Sequence, residues 1–230
     1  MGSAPNAISY RSMQKENIGH TLAINNAWKF STQSDELIYP EDFPASALPS
    51  SCNNSKKLTS ADTYNSAQNH YGGFVYAGGT MAFTAGYYAL FTYRPKTIVF
   101  LGCDMVYSQA GNTHFYGTGT QDSLRKDVTL QSLEAKARRL IYYAAEQGCA
   151  LVNLSEGETR LVFPRVTVNE LQKEQKLTKL NLDLAKETLK LEKDLNYFVP
   201  SVEYWKHQHA FDKEKLWEID QLWLKVVDIK

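Results

Sequence analysis

The 230-residue chain carries 25 Lys and Arg against 25 Asp and Glu, so no global positive field is available to draw nucleic acid. It contains no apolar run of the roughly eighteen residues that a membrane-spanning helix needs. Its length suits one large domain, or a domain with a helical appendage, in either case with a sizeable core.

Met1 to Asn6 is an unusual start, because Gly2, Ser3, Ala4 and Pro5 are residues of the turn after a strand and no strand precedes them. No basic segment followed by an apolar core stands here, so no signal peptide is read. Residues 8–18, with Ile8, Tyr10, Met13 and Ile18 among polar neighbours, predict a short helix. Thr21 to Ile24 predicts a short apolar strand with Asn25 and Asn26 at its carboxyl end, and Glu36 to Tyr39 repeats the pattern before Pro40, Glu41 and Asp42. Two strands with polar tips at short spacing fit a parallel sheet with crossover connections.

Residues 45–68, rich in Ser, Asn, Thr and Lys, read as a mobile connection or a short helix. Phe74 to Tyr76 predicts a brief strand closed by Gly78 and Gly79. Thr80 then caps a helix to about Tyr93 that is apolar almost all round and therefore buried. Glycines at its start would let a ligand reach the free amides of the helix N-terminus, where an anion is favoured. Thr97 to Leu101 is the pattern of a strand buried on both faces. It is followed by Gly102, Cys103 and Asp104, and by a polar, glycine-containing loop with Tyr107, His114 and Tyr116.

An amphipathic helix is predicted from Thr129 to Gln147 with Gly148 just past its end. A buried strand follows from Ala150 to Leu154, tipped by Ser155. Leu161 to Phe163 is a short apolar piece. Leucines from Leu171 to Leu195 then recur near helical spacing among Lys and Glu, which predicts a long amphipathic helix. A second helix, with Leu216, Ile219, Trp223 and Val226 on one face, ends the chain. These boundaries predict an α/β domain over residues 1–165 and a helical extension over 166–230.

Polar residues gather where strands end: Ser3, Asn6, Asn25, Asp42, Gly79, Thr80, Asp104 and Ser155. Such convergence is expected of a nucleotide site in a doubly wound sheet, although a lone Asn such as Asn25 equally reads as a helix cap. Neither a G-x-G-x-x-G run nor a Walker loop is present. His114 is the best acid/base candidate, because histidine alone titrates near neutral pH without help; a solvated loop histidine is the plainer alternative. His207 and His209 do not share a helix face and have no third ligand beside them, so no metal site is read. Cys52, Cys103 and Cys149 are odd in number and without C-x-x-C spacing, which points to a reduced, cytoplasmic protein.

Taken together, Gly2-Ser-Ala-Pro5, Leu22-Ala-Ile-Asn25, Gly79-Thr80 and Thr97 to Tyr107 resemble ordered motifs of the sialyltransferase-like bacterial glycosyltransferases (glycosyltransferase family 42 and relatives). His114-Phe-Tyr-Gly117 resembles that family's histidine-containing piece. The same segments are similar to the Maf-type and pterin-pyrophosphokinase-like group (domain of unknown function 115). Ala4 and Asn6 depart from the first motif, and the strand expected before Gly2 is missing, which reads as a shortened chain. The resemblance implies a Rossmann-like, mostly parallel sheet flanked by helices. It also implies a sialyltransferase-like activity in bacterial glycan biosynthesis, moving a sugar from a CMP-activated donor to a glycan hydroxyl without metal or other cofactor. On that pattern Asn25, Gly79 and Thr80 hold the nucleotide, Tyr107 and Tyr116 bond the departing phosphate, and His114 deprotonates the acceptor. Two rivals stand beside it: diphosphate transfer to a pterin, which needs ATP and Mg²⁺, and a non-catalytic nucleotide-binding or assembly protein. The leucine-rich tail predicts packing on its own domain, on a second copy in a homo-oligomer, or on the inner membrane surface.

Overall fold

The computed structural model describes residues 1–13, 18–29, 34–50, 56–106, 114 and 127–227. Three short strands, β1 (Leu22–Ile24), β2 (Glu36–Ile38) and β3 (Lys57–Thr59), form one parallel sheet in that order. Two more, β4 (Thr97–Phe100) and β5 (Ala150–Asn153), form a second parallel pair. With the flanking helices this is a Rossmann-like α/β fold. The chain start lies between the two sheets. The Met1 amino group donates to the Leu22 carbonyl (2.9 Å), and the Ile24 N–H donates to the Met1 carbonyl (2.9 Å). On the other side the Gly2 N–H donates to Leu101 (2.8 Å). Met1 and Gly2 thus take a strand's place between β1 and the end of β4.

Six α-helices are described: α1 (Ala61–His70), α2 (Phe74–Ala77), α3 (Met81–Tyr93), α4 (Leu133–Glu146), α5 (Leu182–Leu195) and α6 (Lys213–Val226). Four of them begin at side-chain caps. Thr80, Ser132, Asn181 and Asp212 each accept an N–H from the first turn. Among the described residues, no helix is long and apolar enough to cross a membrane.

Several expectations are corrected. Phe74 to Tyr76 is the helix α2, not a strand. Gly72 and Gly73, both at positive φ, turn the chain, and Phe74, Val75, Tyr76 and Ala77 are all buried, so no face is left for strand alternation. Residues 45–68 hold β3 and the start of α1. The edge position of β3 leaves Lys57 and Leu58 exposed, which hid the apolar signal of a strand. The short helix expected over residues 8–18 is, among the described residues, a 3-10 helix that begins earlier, at Pro5, and ends at Ser12. The long tail helix is α5 alone. Residues before its Asn181 cap form a 3-10 turn at Val168–Gln172 and otherwise no helix.

The C-terminal helices share the core of the α/β body. Trp223, Leu216 and Ile219 of α6 belong to the same buried cluster as Leu140 of α4 and Phe83 of α3. Two ion pairs cross the same interface. Arg139 of α4, fully buried, donates through Nε and Nη2 to the two carboxylate oxygens of Glu192 on α5 (2.8 Å each). Its remaining donors reach Tyr87 (3.0 Å) and the Tyr71 carbonyl (2.8 Å), and the Trp223 indole N–H also donates to Glu192 (2.8 Å). Lys136 donates to Asp220 of α6 at 2.8 Å, both side chains being buried. The tail therefore packs on its own domain, because α4 carries two cations that only the tail neutralises among the described residues.

A second polar cluster lies at the amino end of β2. The buried Glu36 carboxylate accepts from Thr59, Tyr88 (2.9 Å) and Tyr93, and pairs with Lys57 (3.1 Å) and His20 (3.0 Å). Burial raises its pKa, but the hydrogen bonds from Thr59, Tyr93, His20 and Tyr88 outweigh that and hold it below 4.5.

Two predictions follow from these clusters. Glu192→Ala leaves the Arg139 charge buried without its partner and should lower stability by about 3–5 kcal/mol in chemical denaturation. The pair replacement Arg139→Met with Glu192→Leu should recover most of that loss. For Glu36 the folded pKa lies below the unfolded one, so its contribution is present above about pH 4.5 and disappears as pH falls through the folded value. Glu36→Gln should therefore flatten the decline of stability between roughly pH 5 and pH 3, measured by urea melts across that range.

Candidate functional site

At the carboxyl ends of β1 and β4 the chain encloses a cavity of about 740 Å³, within the range of small-molecule sites. Its wall comes from the Gly2–Ala4 turn, Asn25 and Asn26 beyond β1, Asp42 beyond β2, the start of α3, and Gly102 to Val106 beyond β4. Two glycines make the close approach at its base. A Cβ on Gly2 would lie 2.2 Å from the Gly102 carbonyl oxygen, and one on Gly102 would lie 2.6 Å from the Ala7 Cβ. Ser3 and Asp104, which follow these two turns, both line the cavity.

Of the residues named from the sequence, Ser3, Asn25, Gly79, Thr80, Asp104 and His114 all line this cavity. Asn6 and Ser155 lie behind it. Asn6 Nδ2 donates to Asp104 Oδ2 and to Ser155 Oγ, both at 3.0 Å, so these two residues hold the Asp104 carboxylate in place. Tyr107 and Tyr116 fall outside the described residues. His114 is 7% exposed, which rules out the solvated loop histidine. Asn25 holds a left-handed backbone (φ 51°) at the strand tip, as does Met105 (φ 54°) directly after Asp104. Backbones of this kind concentrate at ligand sites.

The amide of Gly79 is not free, contrary to expectation: it donates to Thr129 Oγ1 (3.1 Å). The face of Gly79 is covered as well, since a Cβ there would meet the Tyr204 hydroxyl at 1.9 Å. The glycine makes room for Tyr204, not for a ligand. Tyr204 donates to Asp127, whose other oxygen caps Thr129, and its ring stacks on Phe74 with centroids 5.6 Å apart. What remains open at α3 is its first turn. Phe83 and Thr84 give their N–H groups to Thr80, whereas Met81 and Ala82 precede those bonds and line the cavity.

The site's electrostatics are mixed. Among the described lining residues, Glu41, Asp42, Asp104, Asp127 and Glu203 are carboxylates and Lys29 is the one lysine. Three oxygens on the wall, Asn25 Oδ1, Asn26 Oδ1 and Asp104 Oδ1, are buried and meet no hydrogen-bond partner among the described residues. Buried acceptors without donors are costly unless a ligand or water supplies them. Burial, followed by the nearby charges of Glu41, Asp42 and Asp62, keeps the Tyr64 phenol protonated well above its ordinary range. Tyr64 thus enters the wall as a neutral hydroxyl. Lys29, Asp127, Tyr204 and the half-exposed Trp205 escaped the sequence reading; the last two come from the C-terminal segment, where no local pattern links them to the strand tips.

Comparison with protein-family models, curated proteins and solved structures finds no match to this chain.

Because Gly79 and Tyr204 compete for one space, Gly79→Ala should destabilise the protein by about 1–3 kcal/mol through overpacking. Adding Tyr204→Phe removes the clashing hydroxyl and should recover part of that loss, read as a positive coupling in a double-mutant cycle by thermal melts.

Proposed function

We propose that the chain is a sialyltransferase-like glycosyltransferase, moving a sugar from a CMP-activated donor to an acceptor hydroxyl. The observation that carries this reading is one cavity at the carboxyl ends of parallel strands, joining unpaired buried acceptors, the first turn of α3 and His114. The acceptors on Asn25, Asn26 and Asp104 call for a ligand rich in donors. The exocyclic amine of cytosine and the hydroxyls of ribose and sugar meet that need. Met81 and Ala82 offer amides to a phosphate at a helix N-terminus. With five carboxylates against one lysine among the described lining residues, a single phosphate diester suits the site better than a triphosphate.

In this reaction the bond between the anomeric carbon and the phosphate oxygen breaks, and CMP leaves as the acceptor oxygen attacks. His114 takes the hydroxyl proton. Buried on the cavity wall, it is held in one place, which favours proton transfer in a fixed geometry. The α3 amides and Lys29 would stabilise the charge that grows on the leaving phosphate.

CMP should raise the melting temperature more than AMP or GMP, as mass action requires of a ligand that binds only the folded state. His114→Ala should keep that shift while reducing CMP release from CMP-sugar donors by roughly 10²–10⁴-fold. Equal shifts with all three nucleotides would refute the cytidine assignment, and undiminished turnover in His114→Ala would place the base elsewhere.

A further inference from the structure

One wall of the strand-tip cavity is aromatic and comes from the C-terminal segment. Trp205 stands there, in the 3-10 helix Tyr204–Ala210. The chain has four tryptophans, and they divide by what their indoles do. Trp28 gives its N–H to the Ala47 carbonyl (3.0 Å), and Trp223 gives its own to Glu192 (2.8 Å). Trp205 is 42% exposed on the cavity wall, and its indole N–H meets no hydrogen-bond partner among the described residues. A large ring left open to water inside a cavity gains free energy when an apolar surface covers it.

The ring is also held in place. Tyr204 beside it is buried, stacked on Phe74 at an interplanar angle of 15° and bonded to Asp127. Trp205 meets the Tyr204 ring edge to face, with centroids 5.7 Å apart and an angle of 76°, so the tyrosine covers at most one face of the indole. The backbone around both is tied down on either side. Asn65 and Asn69 hold the Pro200 carbonyl, and the Asp212 N–H donates to the Tyr197 hydroxyl (3.2 Å). A platform fixed in this way loses little freedom when a ligand settles on it.

The neighbouring charges select the ligand. Glu203 pairs with Lys206 through Oε1 (2.6 Å) but keeps its side chain 39% exposed, and Asp127 accepts from Tyr204 and Thr129. Both carboxylates nearest in sequence or contact are thus already engaged, which disfavours a cation, while the other acids of the wall repel an anion. A neutral pyranose suits what remains. Its ring presents a face of C–H groups, slightly positive, to the negative face of an indole. Its rim of hydroxyls can both accept from the indole N–H and donate to a carboxylate. We propose that Trp205 is the stacking platform for a neutral pyranose, with Glu203 accepting from the sugar's hydroxyls. Sugar binding stands on these residues alone; its role as the acceptor rests on the glycosyltransferase proposal, in which His114 on the same cavity takes the hydroxyl proton.

The test labels the chain with 5-fluorotryptophan and assigns the Trp205 fluorine resonance by its loss in Trp205→Phe. Methyl β-glucoside or methyl β-galactoside should move that resonance saturably and leave the Trp223 resonance in place. Sorbitol, which has the hydroxyls without a ring face, should not move it, and methyl β-glucuronide should bind more weakly. Affinities measured by saturation transfer to the glycoside should fall roughly tenfold in Trp205→Ala and be largely kept in Trp205→Tyr, which retains a ring and a polar tip. The stabilisation by CMP should be the same in all three proteins. A Trp205 resonance unmoved by both glycosides, equal movement by sorbitol, or unchanged affinity in Trp205→Ala would overturn the platform. Movement by cytidine equal to that by the glycosides would overturn the pyranose in favour of a base. Glycoside binding at Trp205 without any stabilisation by CMP would uphold the sugar site and refute the donor instead.

Discussion

The buried guanidinium of Arg139 is the constraint on which the rest of the molecule depends. A charge removed from water is tolerated only with a partner of good geometry and with its remaining donors satisfied. Glu192 meets it with both carboxylate oxygens, and Tyr71 and Tyr87 take the other bonds. Since Glu192 belongs to α5, the tail must dock for the Arg139 charge to be buried with its partner. Docking α5 brings the following segment over the body, where Asn65 and Asn69 of α1 donate to the Pro200 carbonyl (2.8 and 2.9 Å). Tyr204 then lands on Gly79 and closes one wall of the cavity. An ion pair outside the cavity thereby shapes the candidate site.

A second constraint acts from the other side. Met1 and Gly2 hold β1 and the end of β4 one strand apart, and the Gly2–Gly102 contact leaves no room for side chains between the two turns. The strand tips therefore converge, with Asn25 on one side and Asp104 on the other. Asn6 and Ser155 fix the orientation of Asp104 from behind, which leaves its second oxygen for the cavity. Among the described residues, β1 and β4 are the facing edges of two separate sheets along the rest of that gap.

The parallel sheets and most of the cavity's named residues were legible because each rests on a local pattern. Thr97 to Leu101 is too uniformly apolar to be anything but a strand or helix, and Gly102 and Asp104 close it, although Val99 is exposed where burial on both faces was expected. Thr80 and Ser132 are caps that a reader finds without coordinates. Strand tips in a parallel sheet all point one way, so listing the polar residues after each strand also listed much of the cavity. Gly79 shows the limit of that method. Its glycine was legible but its purpose was not, since Tyr204 stands more than a hundred residues away in sequence. The β-favouring run Phe74 to Tyr76 misled for a related reason: burial on every side overrode its local preference.

By itself the sequence determined the class of the fold, the order of β1, β2, α3, β4, α4 and β5, and the set of polar tips that face one end of the sheet. Those follow from periodicity, caps and turn residues, which act over a few residues. Only the tertiary structure decided that the leucine-bearing tail is part of the core and that Tyr204 and Trp205 belong to the cavity. Each of these depends on contacts between segments far apart in the chain, where burial of charge and close approach of backbones decide the outcome and local propensity has no say.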